Sequence, residues 1–278
     1  MFTHSSGRER SCGGRLAVTA AMLLLAAAVA GCASQNRKVG VMTTGSVAGG
    51  ERSVVASMSG PELDNAAANL GKAYTQNPKD KPVALRYASI LQMSGRTDQS
   101  LAVMRKLAID YPKDREVLAA YGKALAAAGE LEPALDAVRR AQTPEYPDWR
   151  LLSAEGAILD QLGEPDQARA LYRRALDIEP GEPSVLSNLG MSYLLAGDLK
   201  TAEAHMRQAA AAPGADSRVR QNLALVIGLQ GRFTEAEKIA RQELLPQQAE
   251  ANVGYLRAML AQSDSWTQIA REDGARGN

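Results

Sequence analysis

Cysteine and histidine are almost missing from this chain: its 278 residues hold two of each. Cys12, Cys32 and His4 lie near the amino terminus, which leaves His205 alone in the remainder. One histidine and no late cysteine cannot build a zinc site or an internal disulfide framework. The spacing also yields no nucleophile–base pair with an orienting third group, and no phosphate-cradling glycine loop. His205 falls at an exposed-looking position of a helix, where a solvated ring is expected. The chain is therefore expected to carry no catalytic residue, no metal and no cofactor, to act on no small-molecule substrate, and not to be an enzyme. Net charge is lacking too. Lys and Arg number 32 against 31 Asp and Glu, so nothing global points to nucleic acid. The apolar run at 16–30 falls short of the ~20 residues of a membrane-spanning helix.

What the chain does have is a period. Gly95, Gly129, Gly163, Gly197 and Gly231 recur every 34 residues. Seven residues before each stands a small side chain (Ala88, Gly122, Gly156, Gly190, Ala224), and five after it another (Ser100, Ala134, Ala168, Ala202, Ala236). Helices that cross closely need small residues at the crossing, where overpacking costs about 1–3 kcal/mol. Larger apolar residues fill two further columns, Leu91, Leu125, Leu159, Tyr193, Ile227 and Met104, Val138, Tyr172, Met206, Ala240. These offsets lay one apolar stripe along each of two helices. The periodic glycine suits a left-handed turn between them. Pro78, Pro112, Pro144, Pro147, Pro180 and Pro213 stand near the end of each second helix, where a proline stops it.

Helix, glycine turn, helix, proline stop at this interval resembles the tetratricopeptide repeat. The resemblance implies an all-α fold, a right-handed superhelical solenoid closed by a carboxy-terminal capping helix. It covers a half repeat at 59–80, full repeats at 81–114, 115–148, 149–182, 183–216 and 217–248, and a cap at 249–262, together an array over 59–262. Ser59 and Glu62 form a capping box at its start. Arg220 and Glu243 break apolar columns in the last repeat, as terminal repeats do when one face meets solvent. Residues 263–278 are polar and expected to be disordered.

The amino terminus reads as an address. Arg8, Arg10 and Arg15 precede the apolar run, which ends in Val29-Ala30-Gly31-Cys32. This resembles the lipobox of bacterial lipoproteins. The resemblance implies a signal peptide at 1–31, acyl chains on Cys32, and a mature chain beginning there; several chains anchor a protein stably where one does not. Ala33 and Ser34 follow, with no aspartate to retain the protein at the inner membrane, so an outer-membrane location facing the periplasm is expected. Residues 32–58 then read as a flexible tether of roughly 25–30 Å reach.

Two surfaces stand out. In tetratricopeptide domains the first helices line a concave face, and the resemblance places Arg86, Lys123, Arg150, Asn188, Arg218, Gln221 and Asn222 there. An amide at Asn188 and Asn222 offers a peptide backbone both donor and acceptor, or it bonds the neighbouring helix. Ten residues after each turn glycine lies an arginine: Arg105, Arg139, Arg173, Arg207 and Arg241. This basic ladder is open to two readings. It meets an acidic partner or lipid headgroups, or it pairs locally, as Glu203 with Arg207 and Glu237 with Arg241 allow.

The end of the array carries a closer resemblance. Asn222-Leu-Ala-Leu-Val-Ile-Gly-Leu-Gln-Gly-Arg-Phe-Thr-Glu-Ala-Glu, then Leu245-Pro-Gln-Gln-Ala and Asn252-Val-Gly-Tyr-Leu-Arg-Ala-Met-Leu, resemble the tail of TadD-type lipoproteins of tight-adherence (Flp) pilus systems. That implies an interaction scaffold aiding assembly or stability of the pilus secretin. Its partners would be envelope proteins, the secretin or other Tad components, with membrane contact through the lipid. Other lipid-anchored scaffolds share these features: those of outer-membrane β-barrel assembly, type IV pilotins, and adaptors of cell-wall hydrolases.

Overall fold

The computed structural model describes residues 58–143, Glu145 and 147–276, with side chains as far as residue 262. The signal segment, Cys32 and nearly all of the tether lie outside the described residues. Twelve helices make up the rest: α1 Gly60–Gln76, α2 Lys81–Met93, α3 Thr97–Asp110, α4 Arg115–Ala127, α5 Leu131–Ala141, α6 Trp149–Gln161, α7 Pro165–Ile178, α8 Pro183–Leu195, α9 Leu199–Ala211, α10 Ser217–Leu229, α11 Phe233–Ala240 and α12 Pro246–Arg276. There is no strand among the described residues. Each helix packs chiefly on its sequence neighbours, and first helices touch first helices one repeat on. This is the all-α solenoid of the sequence reading. No helix among the described residues is long and apolar enough to cross a membrane.

Every turn glycine of the period has positive φ, from 76° at Gly95 to 82° at Gly163 and Gly197. The small column has a direct steric cause. A Cβ on Gly156 would lie 2.7 Å from the Tyr172 ring and 3.1 Å from the Ala168 carbonyl; on Gly122 it would lie 2.6 Å from Val138. The column is small because the facing residue is large: Gly156 faces Tyr172, whereas Ala224 in the last repeat belongs with Ala240, and both alanines are buried. Ser100, the one polar member of its column, is buried and donates to the Ala88 carbonyl at 2.7 Å.

A further column went unread in the sequence. Asp80, Asp114, Asp148, Glu182 and Asp216 each precede a first helix, and each carboxylate accepts an N–H of its first turn: from Val83, Val117, Arg150, Ser184 and Val219. An acidic N-cap satisfies an orphan donor and meets the positive end of the helix dipole. At the array's start, the Ser59 N–H donates to the Glu62 carboxylate at 2.6 Å.

Two expectations need correction. The chain does not end in a short cap and a disordered tail: α12 runs unbroken to Arg276. No proline follows Pro246 to stop it. Nor is the last repeat simply degenerate. Arg220 and Glu243 are half-buried against each other as an ion pair, and Arg220 also donates to the Ala215 carbonyl at 3.0 Å. Charge complementarity replaces the apolar contact made at those columns in earlier repeats.

Candidate protein-docking site

First helices α2, α4, α6, α8 and α10 carry the residues singled out for partner contact. Asn188 Nδ2 donates to Ser153 Oγ on the preceding first helix at 3.1 Å, and Asn222 Nδ2 to Ser187 Oγ one repeat later, also at 3.1 Å. Both serines are buried. The two amides are thus rungs between adjacent first helices, and each retains an oxygen acceptor and a second N–H. Arg150 lays its guanidinium over the Trp149 ring, 4.5 Å from the centroid, with Asp148 3.8 Å away. Arg218 pairs with Asp216 at 3.1 Å, and Gln221 Nε2 donates to Ser217 Oγ at 2.9 Å. Arg86 is exposed on α2 and Lys123 half-buried on α4.

The basic ladder is held by the protein itself. Arg105 reaches Glu130 at 2.6 Å, Arg139 reaches Glu155 at 2.7 Å, and Arg207 reaches Glu235 at 2.6 Å. Each of these acids lies in the following repeat. Arg173 donates to the Tyr193 hydroxyl at 3.0 Å, and Arg241 pairs with Glu237 at 2.5 Å. All five arginines remain exposed, so each link is of modest strength.

Two carboxylates sit deeper. Asp160 on α6 accepts the Tyr172 hydroxyl at 2.9 Å and the hydroxyl of fully buried Ser192 at 2.7 Å. Burial pushes Asp160 above the usual carboxylate range, and the two hydroxyls pull it only part of the way back. Burial likewise raises the Tyr172 phenol. Glu203 on α9 accepts Gln230 at 2.8 Å, Arg232 at 2.5 Å and Arg207 at 2.7 Å. Burial would raise it, but bonds from Arg232, Gln230 and Arg207 outweigh that and hold it at about 2.

His205 departs from expectation. Its ring is half-buried and stacks on Tyr193 with centroids 5.5 Å apart. Its Nδ1 is buried without a hydrogen-bond partner among the described residues. Burial, with help from the Arg173 charge, lowers its pKa. The apolar Tyr193 column, read as core from the sequence, explains the stacking.

Two open depressions lie between neighbouring second helices, each floored by first-helix side chains. One of about 470 Å³ has Leu176, Leu186 and Ala211 in its wall, and one of about 320 Å³ has Ile109, Leu118 and Tyr121. Among the described residues, no three or more His, Cys, Asp or Glu side chains gather as metal ligands would. The arrangement offers a surface for docking, with its polar groups spread along a row of helices.

The tetratricopeptide repeat family matches residues 62–124 and 161–226. Among solved structures, the chain is similar to the APC/C hetero-tetramer Cut9–Hcn1 at 16% identity and TM-score 0.57, over 73% of this chain and 40% of that one. A thermophilic tetratricopeptide-repeat protein of Thermus thermophilus aligns at 23% identity and TM-score 0.55, over 66% and 98% of the two chains. PilW, a widely conserved type IV pilus biogenesis factor, aligns at 21% identity and TM-score 0.54, over 72% and 92%. The chain spans well under half the length of the first of these. No curated protein matches the sequence. Period, fold and match agree: residues 62–124 and 161–226 match the tetratricopeptide repeat within an all-helical solenoid.

Proposed function

We propose that the chain is a docking scaffold of the outer membrane, facing the periplasm and held by lipid on Cys32, that serves tight-adherence (Flp) pilus assembly by aiding formation or stability of the secretin. The observation that carries the docking half is the row of first helices α2 to α10. The Ser153–Asn188 and Ser187–Asn222 rungs tie α6 to α8 and α8 to α10, so a bound segment finds that part of the surface preorganised, at less ordering cost. The pilus half is supported by the stretch from Asn222 to Leu260 and its likeness to TadD-type lipoproteins. It is in keeping with this reading that a type IV pilus biogenesis factor shares the fold.

In-cell crosslinking from Arg86, Arg150 and Asn222 tests the reading. Capture of the pilus secretin, with loss of pili and adhesion but normal growth on deletion, is expected. Capture of the β-barrel insertion machinery with a general outer-membrane defect, or of wall hydrolases with altered cell shape, would replace it. Cys32→Ser is expected to release the protein from membranes or block its processing. Normal processing and outer-membrane fractionation of that variant would remove the lipid from the account.

A further inference from the structure

Both end helices of the described array, α1 and α12, depart from the repeat register. Each second helix from α3 to α11 starts two residues after its turn glycine, at Thr97, Leu131, Pro165, Leu199 and Phe233. In the same register α1 would start at 63 and turn at 61. It starts instead at Gly60 and runs helically through Pro61, whose ring holds φ negative. Residue 61 therefore does not make the left-handed turn that precedes each second helix from α3 to α11. The inward columns of α1 differ too: Ala66, Leu70 and Ala73 are only half-buried, whereas Ala134, Val138 and Ala141, their counterparts in α5, are at most 1% exposed.

The other end is the mirror case. α12 packs on α10 and α11 in the place of a sixth first helix. Its turn position would be residue 265, but the helix continues to Arg276 and folds no second helix back. Gly254, Ala258 and Ala261 occupy the columns that elsewhere receive a second helix, and all three are exposed. A Cβ on Gly254 would meet nothing within 4 Å. Leu260 is half-exposed, although Ile90, Ile158 and Val226 in its column are buried.

We infer that α12 of one copy and α1 of another complete a repeat, joining copies of this chain head to tail. The fit is the one already used inside the chain: small Ala258 receives Leu70 as Gly122 receives Val138. The interface continues an established one, because α12 would also neighbour the second copy's α2 as α10 neighbours α8. The segment before α1 matches the slot poorly. In register it sets Val54 in the small column and Ser57 where Leu91 and Leu125 stand, and it contains the pair Gly49-Gly50. A contact between two different patches is heterologous, so it propagates as a row or closes as a ring. The inference rests on the repeat register alone and holds whichever partner the first-helix face takes.

The test co-expresses two differently tagged full-length copies, one L70C and one A258C. A disulfide-linked species bearing both tags, formed only when both variants are present, is expected. Absence of that species, or dominance of like-with-like pairs, overturns the proposal. Separately, light scattering of the detergent-solubilised full-length protein should show mass rising with concentration. Ala258→Arg, at an exposed site, should weaken that association by roughly ten- to a hundredfold with unchanged helical signal. A wild-type chain that stays monomeric throughout, or an A258R chain that associates normally, likewise overturns it.

Discussion

Asp160, between the third and fourth repeats, accepts two hydroxyls, and the Arg169 charge lowers it less than either of them does. Glu203, between the fourth and fifth, accepts two guanidinium groups and an amide. Both carboxylates tie one repeat to the next, yet burial raises the first while the second is held at about 2. A carboxylate hydrogen-bonded only by hydroxyls keeps most of its desolvation penalty; one hydrogen-bonded by arginines is stabilised as the ion. The Asp160 link gains its worth from geometry and the Glu203 link from charge.

The largest test of that contrast is Tyr172, which supplies both a buried ring and a hydroxyl to Asp160. Tyr172→Ala should cost about 3–5 kcal/mol in denaturant unfolding, and Tyr172→Phe only about 1 kcal/mol. Equal losses would mean that the hydroxyl dominates. Next in size, Glu203→Gln should cost roughly 1–3 kcal/mol by dissolving charge-assisted bonds. Asp160→Asn should fall within ~1 kcal/mol, since the amide oxygen still accepts a hydroxyl and the buried charge is gone. If Asp160→Asn proves the costlier of the two, the comparison is inverted.

The pH dependence sharpens it further. Glu203 is depressed in the folded state, so its contribution is present above the ordinary 4.5 and fades as pH falls toward about 2. Glu243, lowered by Arg220, and His205, lowered by burial, carry the same sign. Asp160 is raised, so its contribution is present below its ordinary 3.8 and is lost as pH rises through the folded value. The stability gap between wild type and Glu203→Gln should shrink on acidification from pH 7 to pH ~3, while the gap to Asp160→Asn should not. Smallest of all, the double change Arg220→Leu with Glu243→Ala, which restores apolar residues at both columns, should be within ~1 kcal/mol of neutral. Either single change should cost more, because it leaves a half-buried charge unpaired.

The interval of 34 residues made the core legible: the turn glycines, the two small columns and the apolar columns all occupy the places that the period assigns. The acidic caps from Asp80 to Asp216 were equally periodic, and a search for polar as well as apolar columns would have found them. The polar ties escaped for a physical reason. Asp160 meets Ser192, Arg139 meets Glu155 and Arg220 meets Glu243, and in none does the same pair recur one period on. Such links depend on which side chain happens to face a gap, which periodicity does not encode. The Asn188 and Asn222 rungs lay between: the sequence raised bonding to a neighbouring helix as one of two readings, and the buried serines on that helix show where the donors go. The tail was expected to be disordered from its polarity, whereas α12 continues through it to Arg276 with no proline after Pro246 to stop it.

The Asp160–Ser192 bond also limits how this chain could lengthen by duplication. A second copy of residues 149–182 inserted in tandem would set one Asp160 against Ile158, the residue in Ser192's column. That carboxylate would keep Tyr172 but lose its other donor while still half-buried. Duplicating residues 115–148 leaves the pair intact. Copy number should therefore be freer in the amino-terminal half of the array than at its centre.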